Sequence, residues 1–318
     1  MYTMNIYACT HAPRYTPDNP NGYAELDRFR RSALNDRFGV HHLVDNPGNA
    51  DMILYVKAAR PDCKDILNDP MYRTNPSKCF LFEAADNPFP YLPGVYACIH
   101  RLCYSQGRTR TGFYQKISSN IEPLVPPGDA YDYLCSFMGR FETHPVRSRL
   151  ASLHSKDILI ENMSCGSSHD IDLVNMEGHN YTELMAKSAF VLCPRGYGVS
   201  TFRLFEAMRL GRCPVIISDG WVPPVGPRWE TCSIRIRECD IRRLPAILES
   251  RLDEAITLGR TARIVWDEWF SEFSSFHRII EWCLEIDRCR RLPEIAARKI
   301  VLWKKPIHKY ARWRWSPI

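Results

Sequence analysis

The chain has no Cys-x-x-Cys pair and no glycine between Thr3 and Pro20. It has no apolar run of about eighteen residues, so no membrane span is read. Its 13 cysteines are odd in number and irregularly spaced. Cys9, Cys79, Cys135 and Cys193 sit in apolar runs and read as small core residues. A disulfide scaffold and a zinc site are thereby set aside, and a reducing, cytoplasmic setting is expected. Met1–Cys9 lacks the charged start and long apolar core of a secretory signal. Neither Gly-x-Gly-x-x-Gly nor Gly-x-x-x-x-Gly-Lys-Ser/Thr occurs, which removes the dinucleotide fingerprint and the P-loop. Asp and Glu are absent from Arg298 to the end, where seven Lys or Arg stand. The formal charge is +6, so the rest of the chain carries +6 minus +7, or −1. A body that near neutrality is not a nucleic-acid surface, and no nucleic-acid partner is expected.

What is present is a large apolar complement. At 318 residues, 45% apolar and 12% aromatic, the chain can bury two cores, each of about 150 residues. Residues 1–130 alternate apolar runs with helical periodicity. Strands are expected at Met4–Cys9, His41–Val44, Asp51–Val56, Cys79–Phe82 and Val95–Ile99, with a helix at Tyr23–Phe38. Such alternation predicts a parallel sheet, whose ligands gather at the carboxyl ends of the strands. That places Thr10, His11, Glu83, Asp86 and His100 at the functional edge. Ile121–Asp132, with three prolines and Gly128, reads as a linker. A second α/β domain follows over 131–275. Its strands are expected at Tyr133–Met138, Asp157–Glu161 and Cys232–Ile236. A helix opens at Pro145, and helices are expected at Asp240–Leu258, Thr261–Phe273 and Ser275–Cys289. Residues 276–318 read as a helix returning to the first domain, followed by a basic aromatic tail.

The chemistry concentrates between Tyr181 and Pro224. Ala189–Cys193 and Pro214–Ser218 read as buried strands around a helix from Thr201 to Leu210, a strand–helix–strand unit. Pro194-Arg195-Gly196-Tyr197-Gly198 breaks the chain between the first strand and the helix. Ser200 or Thr201 is the N-cap and Gly211 the C-terminal stop. Unpaired N–H groups at such a helix start, together with its dipole, favour a phosphate. Arg195 and Arg203 add positive charge at the two ends of the turn. Glu206, three residues beyond Arg203, shares its face and suits the hydroxyls of a ribose. The plain alternative is a strand–helix turn with solvated charges.

The wording of this stretch resembles the exostosin-type glycosyltransferases. The residues that carry the likeness are Tyr181, Leu184, Cys193-Pro194-Arg195-Gly196, Ser200 through Ala207, Gly211, Pro214-Val215-Ile216 and Ser218-Asp219. The resemblance implies an inverting transferase of the GT-B architecture, with two Rossmann-like domains facing across a cleft and parallel sheets flanked by helices. It implies a nucleotide-sugar donor, with UDP by analogy, and an oligosaccharide or lipid-linked glycan acceptor, in cell-surface polysaccharide synthesis. Animal and plant members are membrane-anchored, so a short chain with no anchor in view resembles a bacterial-type member. By the same likeness Arg140 and Arg147 face the donor diphosphate, beside Arg195, Gly196, Ser200, Thr201 and Arg203. Arg147 as a solvated helix residue is the alternative.

An inverting transfer needs a base for the acceptor hydroxyl. Asp86, Glu83 and His11 are the candidates, Asp86 first because Asp86-Asn87-Pro88 fixes a turn, although it can equally be turn-forming only. Asp170-Ile171-Asp172 matches a metal-binding carboxylate pair, but the pattern is short and lies in a polar loop. No metal or other cofactor is expected, since arginines and a helix N-terminus can balance the leaving diphosphate. In the tail, Trp303, Tyr310, Trp313 and Trp315 interleave with Lys304, Lys305, Lys309, Arg312 and Arg314. That mixture suits an anionic membrane surface, or a segment packed on the first domain. Two other classes stand beside the transferase. One is a non-catalytic sugar-nucleotide-binding partner of another transferase; the other is a sugar-nucleotide epimerase, which the missing dinucleotide fingerprint disfavours.

Overall fold

The structure, a computed structural model, describes residues 2–11, 23–57, 62–86, 89–115, 130–163 and 181–303. Most of the Ile121–Asp132 linker, the Asp170 and Asp172 pair and the tail beyond Trp303 lie outside the described residues. The chain forms two compact units. One gathers the described residues of 1–115, 222–225 and 269–303; the other gathers those of 130–221 and 226–268.

The first unit is built on six parallel strands: β1 (Asn5–Cys9), β2 (His42–Leu43), β3 (Met52–Val56), β4 (Cys79–Glu83), β5 (Gly94–Tyr96) and β6 (Thr109–Thr111). Their order is β2-β1-β3-β4-β5-β6. Helices α1 (Ala24–Leu34), α2 (Lys64–Leu67) and α3 (Pro70–Thr74) make the crossovers. β3 and β4 are buried along their whole length, as strands covered on both faces must be. Two strand expectations were off. β5 runs Gly94–Tyr96 where Val95–Ile99 was expected, and its first residue must be glycine, since a Cβ there would sit 1.9 Å from the Leu81 carbonyl oxygen. β6, Thr-Arg-Thr, has no apolar run to announce it. It is buried because Arg110 reaches Glu285 Oε2 at 3.0 Å and the Thr109 carbonyl at 2.9 Å.

The second unit has five parallel strands: β7 (Tyr133–Gly139), β8 (Ile158–Asn162), β9 (Ser188–Pro194), β10 (Cys213–Ile217) and β11 (Ile234–Arg235). Their order is β11-β10-β9-β7-β8. Helices α4 (Pro145–Leu150), α5 (Tyr181–Ala186), α6 (Phe202–Leu210) and α7 (Leu244–Glu249) pack on this sheet, and α8 (Ala255–Trp269) follows them. Phe137, Val146, Phe190, Leu192, Val215, Leu244 and Leu248 form its core, each worth roughly 1.5–3 kcal/mol of burial. The expected helix break at Gly259 is instead the middle of α8. The glycine is there for contact: a Cβ would lie 2.4 Å from the Gly211 carbonyl oxygen. The break falls earlier, over 250–254.

Helices α9 (Ser275–Cys289) and α10 (Glu294–Trp303) belong to the first unit. α9 docks through Ser275, whose hydroxyl meets that of Ser32 at 2.7 Å. Phe276 packs edge-on against Phe29 of α1. In each sheet the first strand lies between the second and the third, so the direction of winding reverses there. At such a reversal the chain leaves a crevice beyond the carboxyl ends of the strands, the usual ligand position in open parallel sheets.

Candidate active site

In the second sheet the reversal falls between β7 and β9, which end at Gly139 and Pro194. The segment from Arg195 to Thr201 leads from β9 into α6. It is held on β10: the Arg195 amide donates to the Ile217 carbonyl at 3.1 Å, and Ser218 Oγ donates to the Val199 carbonyl at 2.8 Å. Thr201 is the N-cap residue in extended conformation, but its side chain does not cap. Gly211 closes α6 in the left-handed region at φ 79°, where only glycine is unstrained. Ser200 and Thr201 are both buried, so their backbone is what they bring to the turn.

The arginines divide into two kinds. Arg140 is exposed, paired at 2.6 Å with an equally exposed Glu142. Exposed pairs of this sort contribute little and exchange readily for a stronger anion. Arg195 is buried at the end of β9. Arg147 and Arg203, expected at the donor diphosphate, contact backbone carbonyls here. Arg147 Nε donates to the Arg195 carbonyl at 3.0 Å, and its other nitrogens donate to the carbonyls of Arg140 and Pro194 at 3.3 Å. It therefore staples the ends of β7 and β9 together. Gly196 leaves room for it, because a Cβ there would lie 2.9 Å from the guanidinium. Arg203 is buried between the rings of Phe137 and Tyr181, at 4.6 and 5.2 Å, and donates to the Met138 carbonyl. Both thus donate to the protein's own backbone at the ends of β7 and β9.

Glu206 shares this face of α6, as its spacing predicts. It is 3% exposed, and one carboxylate oxygen accepts from the Tyr181 hydroxyl at 2.5 Å. Tyr181, Arg203 and Glu206 thus form one cluster, with the phenol raised well above its ordinary range chiefly by burial. Three further residues were not named as site candidates, although Asp219 stands in the Ser218-Asp219 match. His144 caps α4 by accepting from the Val146 amide at 3.2 Å. Burial, then Arg195, Arg147 and Arg149, push its pKa down to about 3. Beyond the ends of β10 and β11, the Asp219 amide donates to Glu238 Oε1 at 3.0 Å and the Glu238 amide to Asp219 Oδ1 at 3.2 Å. Burial raises the Glu238 carboxyl, against the pull of Arg195. The Pro145 helix start pointed near His144; nothing in the chain order pointed to Glu238.

The candidate bases lie in the first unit. The reversal there falls between β1 and β3, beside Thr10, His11 and Lys57. Thr10 Oγ1 donates to the Lys57 carbonyl at 3.3 Å. Lys57 is in the left-handed region at φ 64°, a strained position for a non-glycine residue at a strand end. His11 is one-third exposed, stacks on Tyr55 and meets Asp69 Oδ2 through Nε2 at 2.6 Å. Asp69 is buried and also caps α3. Asp86 is exposed and accepts from the Tyr114 hydroxyl at 2.9 Å. Glu83 is buried, and its carboxylate accepts from the Ala85 amide at 3.1 Å. Of the three candidates, His11 alone is an imidazole paired with a buried carboxylate, an arrangement that orients a general base.

Residues 123–251 match the exostosin GT47 domain. Exostosin-1 of Drosophila melanogaster is 29% identical over 219 residues, 64% of this chain and 28% of its own length. The Exostosin-1 homolog of Caenorhabditis elegans is 29% identical over 154 residues, 43% of this chain and 40% of its own. Exostosin-1 of Bos taurus is 28% identical over 139 residues, 43% of this chain and 18% of its own. The chain spans at most 40% of the length of these relatives. Among solved structures, Anabaena Alr3699/HepE in complex with UDP and glucose aligns at a TM-score of 0.47 with 9% identity, over 90% of this chain and 99% of the other. TarM aligns at 0.40 with 14% identity, over 80% and 55%.

Proposed function

We propose, from the match of residues 123–251 to the exostosin GT47 domain, that the chain is a glycosyltransferase of that type, which transfers a sugar, with inversion, from a UDP-sugar to a glycan acceptor in surface polysaccharide synthesis. One observation carries this reading. The carboxyl edge of the second sheet, at its reversal, gathers Arg140, Arg147, Arg195 and the N-terminus of α6, and burial together with Arg195, Arg147 and Arg149 pushes the nearby His144 down to about 3. Such a place suits a diphosphate, by charge and by backbone N–H groups together.

The contacts support the following roles. Arg195, with the backbone of Gly196, Ser200 and Thr201, cradles the diphosphate, and Arg140 leaves its exposed partner to join it. Arg147 and Arg203 hold the two strand ends that define the cradle. Glu206, set by Tyr181, supports the ribose. In the transfer the acceptor oxygen forms the new bond to the anomeric carbon while the bond to the diphosphate oxygen breaks. The acceptor proton passes to the base, and the negative charge on the leaving diphosphate is met by Arg195 and Arg140. His11, held by Asp69, is the assigned base. The arginines supply the positive charge that a metal ion would otherwise provide.

The test is donor binding and turnover with purified chain across UDP, GDP, CMP and dTDP sugars. Arg195→Ala should keep its melting temperature and lose at least about tenfold in donor affinity, since a charge-assisted contact is worth about 1.5–3 kcal/mol. Wild-type donor affinity in that variant overturns the site. Donor binding without transfer by the wild type, whatever the acceptor, turns the reading to a non-catalytic partner.

A further inference from the structure

We propose that the outward face of α10, with the basic cavity beside it, docks the protein on a bilayer surface rich in anionic phospholipid. This does not rest on the transferase reading, and it involves residues of the first unit alone.

The inward side of α10 is firmly fixed. Glu294 is 2% exposed and pairs with Arg108 through both oxygens, at 2.6 and 2.9 Å. Arg108 is itself buried and donates to the carbonyls of Pro90, at 3.1 Å, and Tyr91. Val301, about two turns on, packs against the cluster that contains Ile53, Tyr55 and Leu81. A helix so anchored cannot turn its other side inward. That other side is apolar: Ile295 and Ile300 are 56% and 51% exposed, and Leu292, just before the helix, is 45% exposed. Ala296 and Lys299 lie exposed between them. At about 100° per residue the four of these positions that lie in the helix, Ile295, Ala296, Lys299 and Ile300, occupy less than half the circumference, opposite Glu294 and Val301.

The charge beside this stripe selects the occupant. Ile295 and Arg298 also line a cavity of about 730 Å³. Its other charged lining residues are Lys64, Arg73 and Asp62, a net of three cations minus one carboxylate, or +2. Asp62 pairs with Lys64 at 3.3 Å, which leaves the arginines as the excess charge. Arg73 holds the Asn68 side chain at 2.8 Å, and Arg298 lies over the Tyr72 ring at 5.8 Å. From Arg298 the sequence runs on with seven Lys or Arg and no acid. An apolar stripe flanked by one sign of charge matches the interface of an anionic membrane, where the stripe enters the acyl boundary and the cations meet phosphates. No helix among the described residues is long and apolar enough to cross a membrane, so the contact is lateral.

The experiment is flotation of the full chain with vesicles of phosphatidylcholine alone or with about 30 mol% phosphatidylglycerol added, a content that gives a strongly anionic surface. The wild type should float with the anionic vesicles and be released by about 0.5 M salt, where the Debye length is a few ångströms. Ile295→Asp with Ile300→Asp should weaken partitioning by at least about tenfold, since each isoleucine entering the interface is worth about that factor. Arg73→Glu should weaken it about fivefold or more. Ile264→Asp, at an exposed isoleucine on α8, should change nothing. Melting curves confirm that each variant is folded. Undiminished flotation of the folded double variant overturns the assignment to this face, as does equal binding to neutral vesicles or no binding at all. These outcomes leave the donor-binding test of the preceding section untouched.

Discussion

Replacing Arg147 by alanine separates two readings of the arginine cluster. If Arg147 holds the donor's phosphates, the free protein should gain from its removal, because one cation leaves a crowded group. If it is the staple seen here, the free protein should lose. The structure sets the size of that loss. One bond at 3.0 Å and two at 3.3 Å run from a charged donor to the carbonyls of Arg195, Arg140 and Pro194. A bond to a charged group is worth about 1.5–3 kcal/mol, and the two longer ones less. The guanidinium also stacks over Phe137 at 5.4 Å, worth about 0.5–1 kcal/mol more. Because the site is half-buried, water replaces part of this, and about 2–4 kcal/mol remains. For a unit of this size that is a fall of roughly 5–12 °C in Tm. Donor affinity should fall as well, since the ends of β7 and β9 lose their tie. Lysine, a point charge on a flexible stem, cannot reach three carbonyls at once and should not rescue stability. The assay is differential scanning calorimetry alongside titration with UDP-sugar. A variant as stable as the wild type, or rescue of both properties by Arg147→Lys, refutes the staple.

Glu294→Ala should cost about 3–5 kcal/mol by leaving Arg108 charged and buried, measurable by urea unfolding. Gly259→Ala should also destabilise. Alanine's better helix propensity gives back at most about 1 kcal/mol, whereas a Cβ 2.4 Å from the Gly211 carbonyl oxygen forces α8 away from the turn before β10, at about 1–3 kcal/mol; a raised Tm would contradict the contact. His277 is buried between Phe38 and His41, with Glu281 and Arg278 nearby, and burial pushes it down to about 4. His41 is lowered as well. A lowered histidine binds its proton more readily when unfolded, so its stabilisation is present above about pH 6.5 and is lost as pH falls towards 4. His277→Phe keeps the stack and removes the proton; its stability should fall less steeply across that window, and an unchanged acid limb would refute the assignment.

What could be read along the chain was whatever depends on near neighbours. The strands around Ala189–Cys193 and Pro214–Ser218, the αL glycine at 211 and the shared face of Arg203 and Glu206 follow from runs, periods and turn chemistry a few residues long. Those signals were sharp enough to locate the edge of the sheet that carries the candidate site. What could not be read is whatever one segment does to another far from it in sequence. Arg203 looks like a phosphate ligand on its helix, and nothing on that helix shows that Phe137 and Tyr181, carried by β7 and α5, enclose it. His11 and Asp69 are 58 residues apart, and only the β1–β3 adjacency makes them a pair. Gly259 reads as a breaker until the Gly211 turn comes to rest on it. The sequence by itself determined the local units and the chemical types available. Tertiary structure decided strand order and which charged groups stayed in water, because burial is conferred by partners and no single segment carries its own.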